Sequence, residues 1–463
     1  MKSKLIYLAL SFFWFLPLRA QQAVDTLSWS GFFNIIKKYH PISQQANLLV
    51  DLAKVKRTKA LGGFDPKIEA DFDQKYYDGT EYYTFFTPQI KLPLWYGVEL
   101  KGSYSQAEGA YLNPESKLPK QGLSYVGINF NVGKGLFIDE RRAAIKQAKI
   151  FEQSSQNEKR KILNDLFLEA ATNYIEWYNN YKITQIHKEA LSLAKTRFDA
   201  VKTGFKNGDK PAIDTVEALL MVQQREGMLQ QAQLELQNSK LMLCNYLWLQ
   251  NNQAVDANKL YIVPPDSLDI PLNADLQTSN NPKLLSYEFK INDLNVERRL
   301  KAESLKPELG LQLGVLNQGK SLLRNINGNY WQDNNKVNIR FSFPLTFAKA
   351  RADLAETKIK IRQTQLEQDM VRNELVNKMR QNNFEILTLQ NQVNILNQTY
   401  KSSMQLLNGE ELKFKFGDSS LFLINSRESK LIEVREKLLA TEAKLKKSKI
   451  KTIWLAGNLY LNI

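Results

Sequence analysis

Two stretches, Asp139 to Thr203 and Ala348 to Asn408, contain neither Gly nor Pro. In the second, Met379, Ile386, Leu389, Val393, Leu396, Tyr400 and Leu407 recur in steps of seven, three and four. That spacing is a heptad seam, so the stretch is predicted to be one long helix packed side by side with others. At about 1.5 Å rise per residue, roughly 60 residues span on the order of 90 Å. Globular domains rarely hold helices this long. The chain is built to act across a distance.

Between the helical stretches the period changes to two. In Lys67 to Tyr77, Ile68, Ala70 and Phe72 alternate with Glu69, Asp71 and Asp73, which is strand behaviour. Asp78-Gly79 is a turn signal. Tyr82 to Leu94, Val98 to Tyr104, and Tyr125 to Val132 read as further strands, with a loop over Gln106 to Gln121. Later, Leu309, Leu311 and Leu313 alternate after Pro307, and Val337, Ile339, Phe341 and Phe343 form a strand ended by Pro344. A polar, Gly-containing loop, Asn325 to Asn335, separates the two.

The order of elements occurs twice. Pro41 and Pro282 stand 241 apart, as do Pro66 and Pro307; Gly208 and Gly417 stand 209 apart, as do Asp209 and Asp418. Each unit reads helix, strands, long helix, break, helix, and the first is about 30 residues longer around its strands. The predicted organisation is a signal peptide at 1–20, a first repeat at 21–258, a linker at 259–279, a second repeat at 280–457 and a tail at 458–463. The first repeat holds strands at about 67–132 and its long helix at about 139–203. The second holds strands at about 308–344 and its long helix at about 348–408.

The start of the chain reads as an export signal: Lys2 and Lys4, an apolar run from Leu5 to Leu18, then Leu18-Arg19-Ala20 with Gln21 as the first mature residue. An uncleaved anchor is the alternative, but the run is short for a span of about 20 residues. The lone Cys244 excludes an internal disulfide framework, and its apolar neighbours make it a core residue. The net charge of +15 becomes +12 without Lys2, Lys4 and Arg19. Lys and Arg are mixed with Glu and Asp along the helices, the pattern of solvated helix faces rather than of a nucleic-acid partner.

An exported chain with no further helical span is either soluble or inserted as a β-barrel. Four to six strands are too few to close a barrel, which needs about eight. If they cross a membrane, several chains must share one barrel. Tyr76, Tyr77, Tyr82, Tyr83, Phe85, Phe86, Trp95, Tyr96, Tyr330 and Trp331 are available as interfacial aromatics. A soluble β-sandwich capping a coiled coil remains the alternative.

Several local motifs resemble the TolC-like outer membrane efflux protein family. Tyr39-His40-Pro41-Ile42 and Asn280-Asn281-Pro282-Lys283-Leu284 resemble its first-helix openings, and Phe64-Asp65-Pro66 its strand entry. Residues 205–214 (FKNGDKPAID) and 416–428 (FGDSSLFLINSRE) resemble its Gly-centred helix breaks. The resemblance runs over nearly the whole mature chain. It implies a mainly α fold with membrane β-strands, a homotrimer whose outer membrane β-barrel continues into an α-helical barrel crossing the periplasm. It also implies a passive duct for drugs, metal ions or secreted proteins, opened by a periplasmic adaptor (membrane fusion) protein and an inner-membrane transporter. Two departures stand out. The family's usual pattern is two strands per repeat, whereas the first region here is long enough for four. Members are often acidic and this chain is basic, so tunnel selectivity does not carry over.

In the family the Gly-centred breaks lie at the periplasmic tip, where the helices converge into a gate. The resemblance therefore nominates Asp209, Asp214, Asp418, Asn425, Arg427 and Glu428 as gate candidates, with Gly208 and Gly417 as helix-break glycines. Acidic side chains at a constriction favour cations, and acid–Arg links can hold a gate shut. An Asp after Gly and before a helix is also an ordinary N-terminal cap. Asp214 and Glu217 share a helix face, read as exposed.

No catalytic constellation is present. His40 and His187 lie on different helices, and neither metal-ligand spacing, phosphate loop nor nucleophile elbow occurs. No cofactor and no enzymatic activity are expected. The competing class is a periplasmic coiled-coil adaptor or structural protein without a pore; strands before both long helices favour the channel.

Overall fold

The computed structural model describes residues 25–257, 262–268, 280–320 and 330–462. The export signal, most of the linker and residues 325–329 of the polar loop lie outside them. The chain divides into two units, one of Met1–His40, Thr172–Ile270 and Val393–Ala443, the other of Pro41–Ala171, Pro271–Gln392 and Lys444–Ile463. The long helices contribute to both.

In the first unit, β1 (Asp25–Thr26) leads into α1 (Trp29–Tyr39), whose start is capped by the Ser28 hydroxyl accepting from the Gly31 N–H at 3.1 Å. Phe32, Phe33 and Ile36 repeat at helical spacing and are fully buried with Tyr174 and Trp177 of α3 (Glu140–Lys206). The Trp29 ring stands edge-on to Tyr174 at 5.2 Å, and the Tyr174 hydroxyl donates to the Leu27 carbonyl at 2.6 Å. Burial pushes that phenol's pKa up. α1 stops at His40 because the residue before a proline is held extended. α2 (Pro41–Leu61) then starts with Pro41 at its first position.

α4 (Ala212–Cys244) follows α3, and Cys244 is buried as expected, which raises the pKa of its thiol. β6 (Ile262–Val263) pairs in parallel with β1, so part of the predicted linker is a structured strand.

The second unit holds one antiparallel sheet. Its strands are β2 (Lys67–Tyr77), β3 (Thr80–Pro93), β4 (Val98–Glu108), β5 (Leu123–Gly133), β7 (Glu308–Gln318) and β8 (Asn335–Ser342). The order is β2-β3-β4-β5-β7-β8, six strands among the described residues. The first repeat thus supplies four strands and the second two. The register keeps one set of side chains together throughout: Ile68 opposes Ile90, Leu92 opposes Leu100, Ile128 opposes Leu313, and Leu311 opposes Ile339. The other face carries Glu69 opposite Gln89, Lys91 opposite Lys101, Asn129 opposite Gln312, and Gly310 opposite Arg340. Period two in each sequence becomes one apolar and one polar face of the sheet.

In the same unit, α5 (Pro282–Glu303) packs Leu284 against Val371 and Leu375 of α7 (Ala348–Lys415) and Leu455 of α8 (Leu421–Leu455). Along the seam of α7, Leu389 and Leu407 are buried and Met379, Ile386, Val393, Leu396 and Tyr400 half-buried, and the helix also buries polar residues, Asn382 among them. Asn382, 1% exposed, donates to the Ser448 carbonyl at 2.9 Å and the Thr452 hydroxyl at 2.7 Å. A satisfied buried amide in an apolar seam favours one register of α7 on α8. α6 (Tyr330–Asp333) precedes β8; the side chains of Tyr330 and Trp331 are outside those described. The predicted tail is tied down as α9 (Leu459–Asn462), whose Leu459 N–H donates to Asn164 Oδ1 at 2.9 Å.

Both long helices run past their expected ends, α3 continuing beyond Thr203 through Gly204 to Lys206. α7 does not stop at Asn408 but runs through Gly409 to Lys415. A helical Gly costs about 1 kcal/mol relative to Ala. Here burial of Leu407 and packing of Phe414 beyond it outweigh that cost.

Candidate functional site

The two helix breaks are built alike. Asp209 N–H bonds to the Gly204 carbonyl at 2.8 Å and Gly208 N–H to the Phe205 carbonyl at 3.0 Å; Asp418 bonds to Lys413 at 2.9 Å and Gly417 to Phe414 at 3.1 Å. This pairing of six-to-one and five-to-two bonds is the Schellman ending of a helix. It needs a left-handed residue, supplied by Gly208 at φ 82° and Gly417 at φ 84°.

Asp209 and Asp418 do not act as helix caps. The residue preceding α4 is Pro211, with no side-chain cap, and the start of α8 is held by the Ser420 hydroxyl accepting from Leu423 N–H at 3.4 Å. Both Asp carboxylates are exposed on the turns. Asp214 lies in the first turn of α4, where a carboxylate suits the positive end of the helix.

Asn425 and Glu428 are in a different position: both are buried. Arg197 of α3 donates to the Glu428 carboxylate and, at 3.3 Å, to Asn425 Oδ1. Its other amine lies 3.9 Å from Glu411 of α7. Asn425 Nδ2 donates to Glu217 Oε1 of α4 at 3.2 Å, so Glu217 is half-buried and engaged rather than on an exposed face. Arg427 Nε stands 3.9 Å from Glu410, whose carboxylate accepts from the Ser419 hydroxyl at 2.6 Å. About two turns further along α4, Arg225, 2% exposed, donates to Ser429 Oγ at 2.8 Å. Burial lowers the pKa of its guanidinium, and Glu428 opposes that shift.

These groups join the ends of four helices through α8. An apolar layer of Val201, Ala218 and Leu421, with Phe198 and Phe414, lies next to them. The structure therefore brings together Asn425, Arg427 and Glu428 and leaves Asp209, Asp214 and Asp418 outside the network. Sequence reading missed Arg197, Arg225, Glu410 and Glu411. A signal existed for the first: Arg197 precedes Gly208 by the same eleven residues by which Glu428 follows Gly417. Paired helix reversals place residues equally far from the turn at similar heights.

The sheet has the surface of a membrane wall. Its apolar face is exposed, with Ile68 at 80% and Phe341 at 67%. Aromatic rings cluster at both ends of the strands. At one end Tyr82 meets Tyr77 at 5.9 Å and Tyr111 at 4.7 Å; at the other Phe64 stacks on Trp95 at 4.9 Å and Phe343 meets Phe347 at 4.9 Å. Eleven residues of β2, tilted by about 40°, would stand roughly 28 Å tall, close to the ~25 Å apolar band of outer membrane barrels. No described helix is long and apolar enough to cross a membrane. Among the described residues no group of His, Cys, Asp or Glu could hold a metal ion.

Comparison with known proteins agrees with this geometry. Residues 274–451 match the outer membrane efflux protein family. No curated protein matches the chain in sequence. Among solved structures, the outer membrane protein VceC from Vibrio cholerae is 13% identical with a TM-score of 0.65, the alignment covering 92% of this chain and 95% of that one. The Campylobacter jejuni CmeC outer membrane channel is 13% identical, TM-score 0.63, covering 92% and 85%. The open state of the Neisseria gonorrhoeae MtrE outer membrane channel is 10% identical, TM-score 0.63, covering 92% and 88%. At such identities the likeness is one of fold. Residues 274–451 thus carry the sequence pattern of the outer membrane efflux protein family, and along nearly its whole length the chain has the fold of these solved outer membrane channels.

Proposed function

We infer that the chain is the outer membrane channel of a tripartite efflux pump or type I secretion system. It is a passive exit duct for small molecules, metal ions or proteins. The observation that carries this reading is the open amphipathic sheet. An exposed apolar face and edge strands paired on one side only are untenable in lipid unless copies of the chain close the sheet into a barrel. Three copies, as in the family, form the duct in the outer membrane, and the long helices carry it into the periplasm. A periplasmic adaptor protein and an inner-membrane transporter are the partners, and the transporter supplies the energy.

The helix breaks form the closed tip. Arg197, Glu428, Asn425 and Glu217 hold α8 to α3 and α4, while Glu410 and Glu411 bring in α7. Buried acid–Arg links of this kind form a latch that an adaptor can trade for its own contacts. The exposed Asp209 and Asp418, tripled by symmetry, form acidic rings that favour cations at the entrance.

An adaptor would carry its β part as a contiguous domain, whereas here strands of both repeats share one sheet. Fractionation tests the reading. Heat-resistant trimers in the outer membrane fraction are expected; a soluble periplasmic monomer would overturn it. A strain lacking the protein is expected to become sensitive to toxic compounds or to retain a secreted protein.

A further inference from the structure

We propose that three copies of this chain close a barrel of eighteen strands by pairing β8 of each copy with β2 of the next, with the extra β-hairpin of the first repeat built into the wall. The inference rests on the channel reading above. The family's usual two strands per repeat would give twelve.

Four observations carry it. First, the sheet is continuous: β3 pairs with β4 from Thr84 opposite Glu108 to Pro93 opposite Glu99, with the Thr87 hydroxyl donating to Ser105 Oγ at 3.2 Å. β2 is joined to β3 along its whole length, and Lys91 meets Glu69 at 2.6 Å. The first hairpin is therefore part of the wall and not an appendage folded away from it.

Second, the polarity fits. Six strands alternate in direction, so β8 runs opposite to β2, and an even number per copy closes with every seam antiparallel.

Third, the faces match. Ile68, Ala70 and Phe72 of β2 lie on the same face as Val337, Ile339 and Phe341 of β8, so the seam continues the apolar band outside and the polar lining inside. Fourth, the charges on the polar face are complementary. β2 presents Glu69, Asp71 and Asp73 along its middle there, flanked by Lys67 and Lys75, and β8 presents Lys336 and Arg340. Cross-strand pairs of opposite charge favour this seam over β2 on β2.

The consequence is width. Strands about 4.8 Å apart and tilted about 40° give a backbone diameter of roughly 36 Å for eighteen strands and roughly 24 Å for twelve. Barrels of 16–18 strands leave an aqueous channel. The outer end of this duct is then no constriction, and cargo selection falls to the periplasmic tip.

Disulfide trapping tests the seam in the full-length protein. In a Cys244→Ser background, Arg340→Cys is combined in turn with Lys67→Cys, Glu69→Cys, Asp71→Cys or Asp73→Cys on β2. A second set combines it with Glu99→Cys, Lys101→Cys or Ser103→Cys on β4. The expected result is disulfide-linked trimers in outer membrane fractions from at least one β2 pair and from no β4 pair. Trimers linked through β4 would mean a twelve-stranded barrel with the hairpin displaced, overturning the proposal while leaving the channel reading intact. Heat-resistant trimers linked by neither set would also overturn it. Absence of any oligomer would overturn both. An electron cryo-microscopy section through the wild-type trimer, free of any folding defect from substitution, should count eighteen strands; twelve would contradict the proposal.

Discussion

Arg197 and Glu428 form an ion pair between helices with little water to solvate either. Substituting one partner leaves the other buried and uncompensated, which costs about 3–5 kcal/mol. Arg197→Met is therefore expected to lower stability by that order in denaturant unfolding and to raise single-channel conductance. The double substitution Arg197→Met with Glu428→Met should recover most of the stability while keeping the open phenotype. His40 sets a second, pH-dependent effect. Burial lowers its pKa below 6.5, a hydrogen bond to the Asn245 backbone opposing, and its ring stacks on Tyr246 at 5.9 Å. On acidification the unfolded chain takes up this proton before the folded one. The stabilisation is full above about pH 6.5 and is lost as pH falls toward the native value. The melting temperature should drop between pH 7.5 and 5, and His40→Phe should remove that part of the drop.

At the scale of elements, the helix breaks and strands were legible because each has a short-range cause. Gly208 and Gly417 meet nothing within 4 Å of an added Cβ, so their requirement is conformational and not steric. Gly208→Ala or Gly417→Ala should each cost about 1–2 kcal/mol, read by thermal unfolding, and Asn at either position should cost less. The end of α7 was not legible. Gly409 is a local stop signal, and the cluster against which Phe414 packs, carrying the helix past it, includes residues distant in sequence, Val201 and Ala218. For the same reason Glu217 looked like a surface charge. Its partner Asn425 lies 208 residues away, and no spacing on α4 reveals it. Asp209 and Asp418 were legible as residues of the break but not as free of capping duty, because Pro211 and Ser420 take the helix starts.

At the scale of the whole molecule, duplication and the open sheet decide the reading. Repeats separated by 241 residues at the prolines and 209 at the glycines already told that the first copy held extra residues near its strands. The structure shows that these residues form two more strands of the same sheet. What the sequence could not contain is closure, since a barrel shared between chains has its seams between molecules.

A pore whose narrow point lies at the paired helix breaks can be observed by single-channel recording of purified protein in a planar bilayer, with and without divalent cations. Discrete, low conductance is expected, which divalent cations depress further and which Asp209→Ala with Asp418→Ala raises while relieving the divalent effect. No channel at all, from protein shown to be folded and inserted, would contradict it.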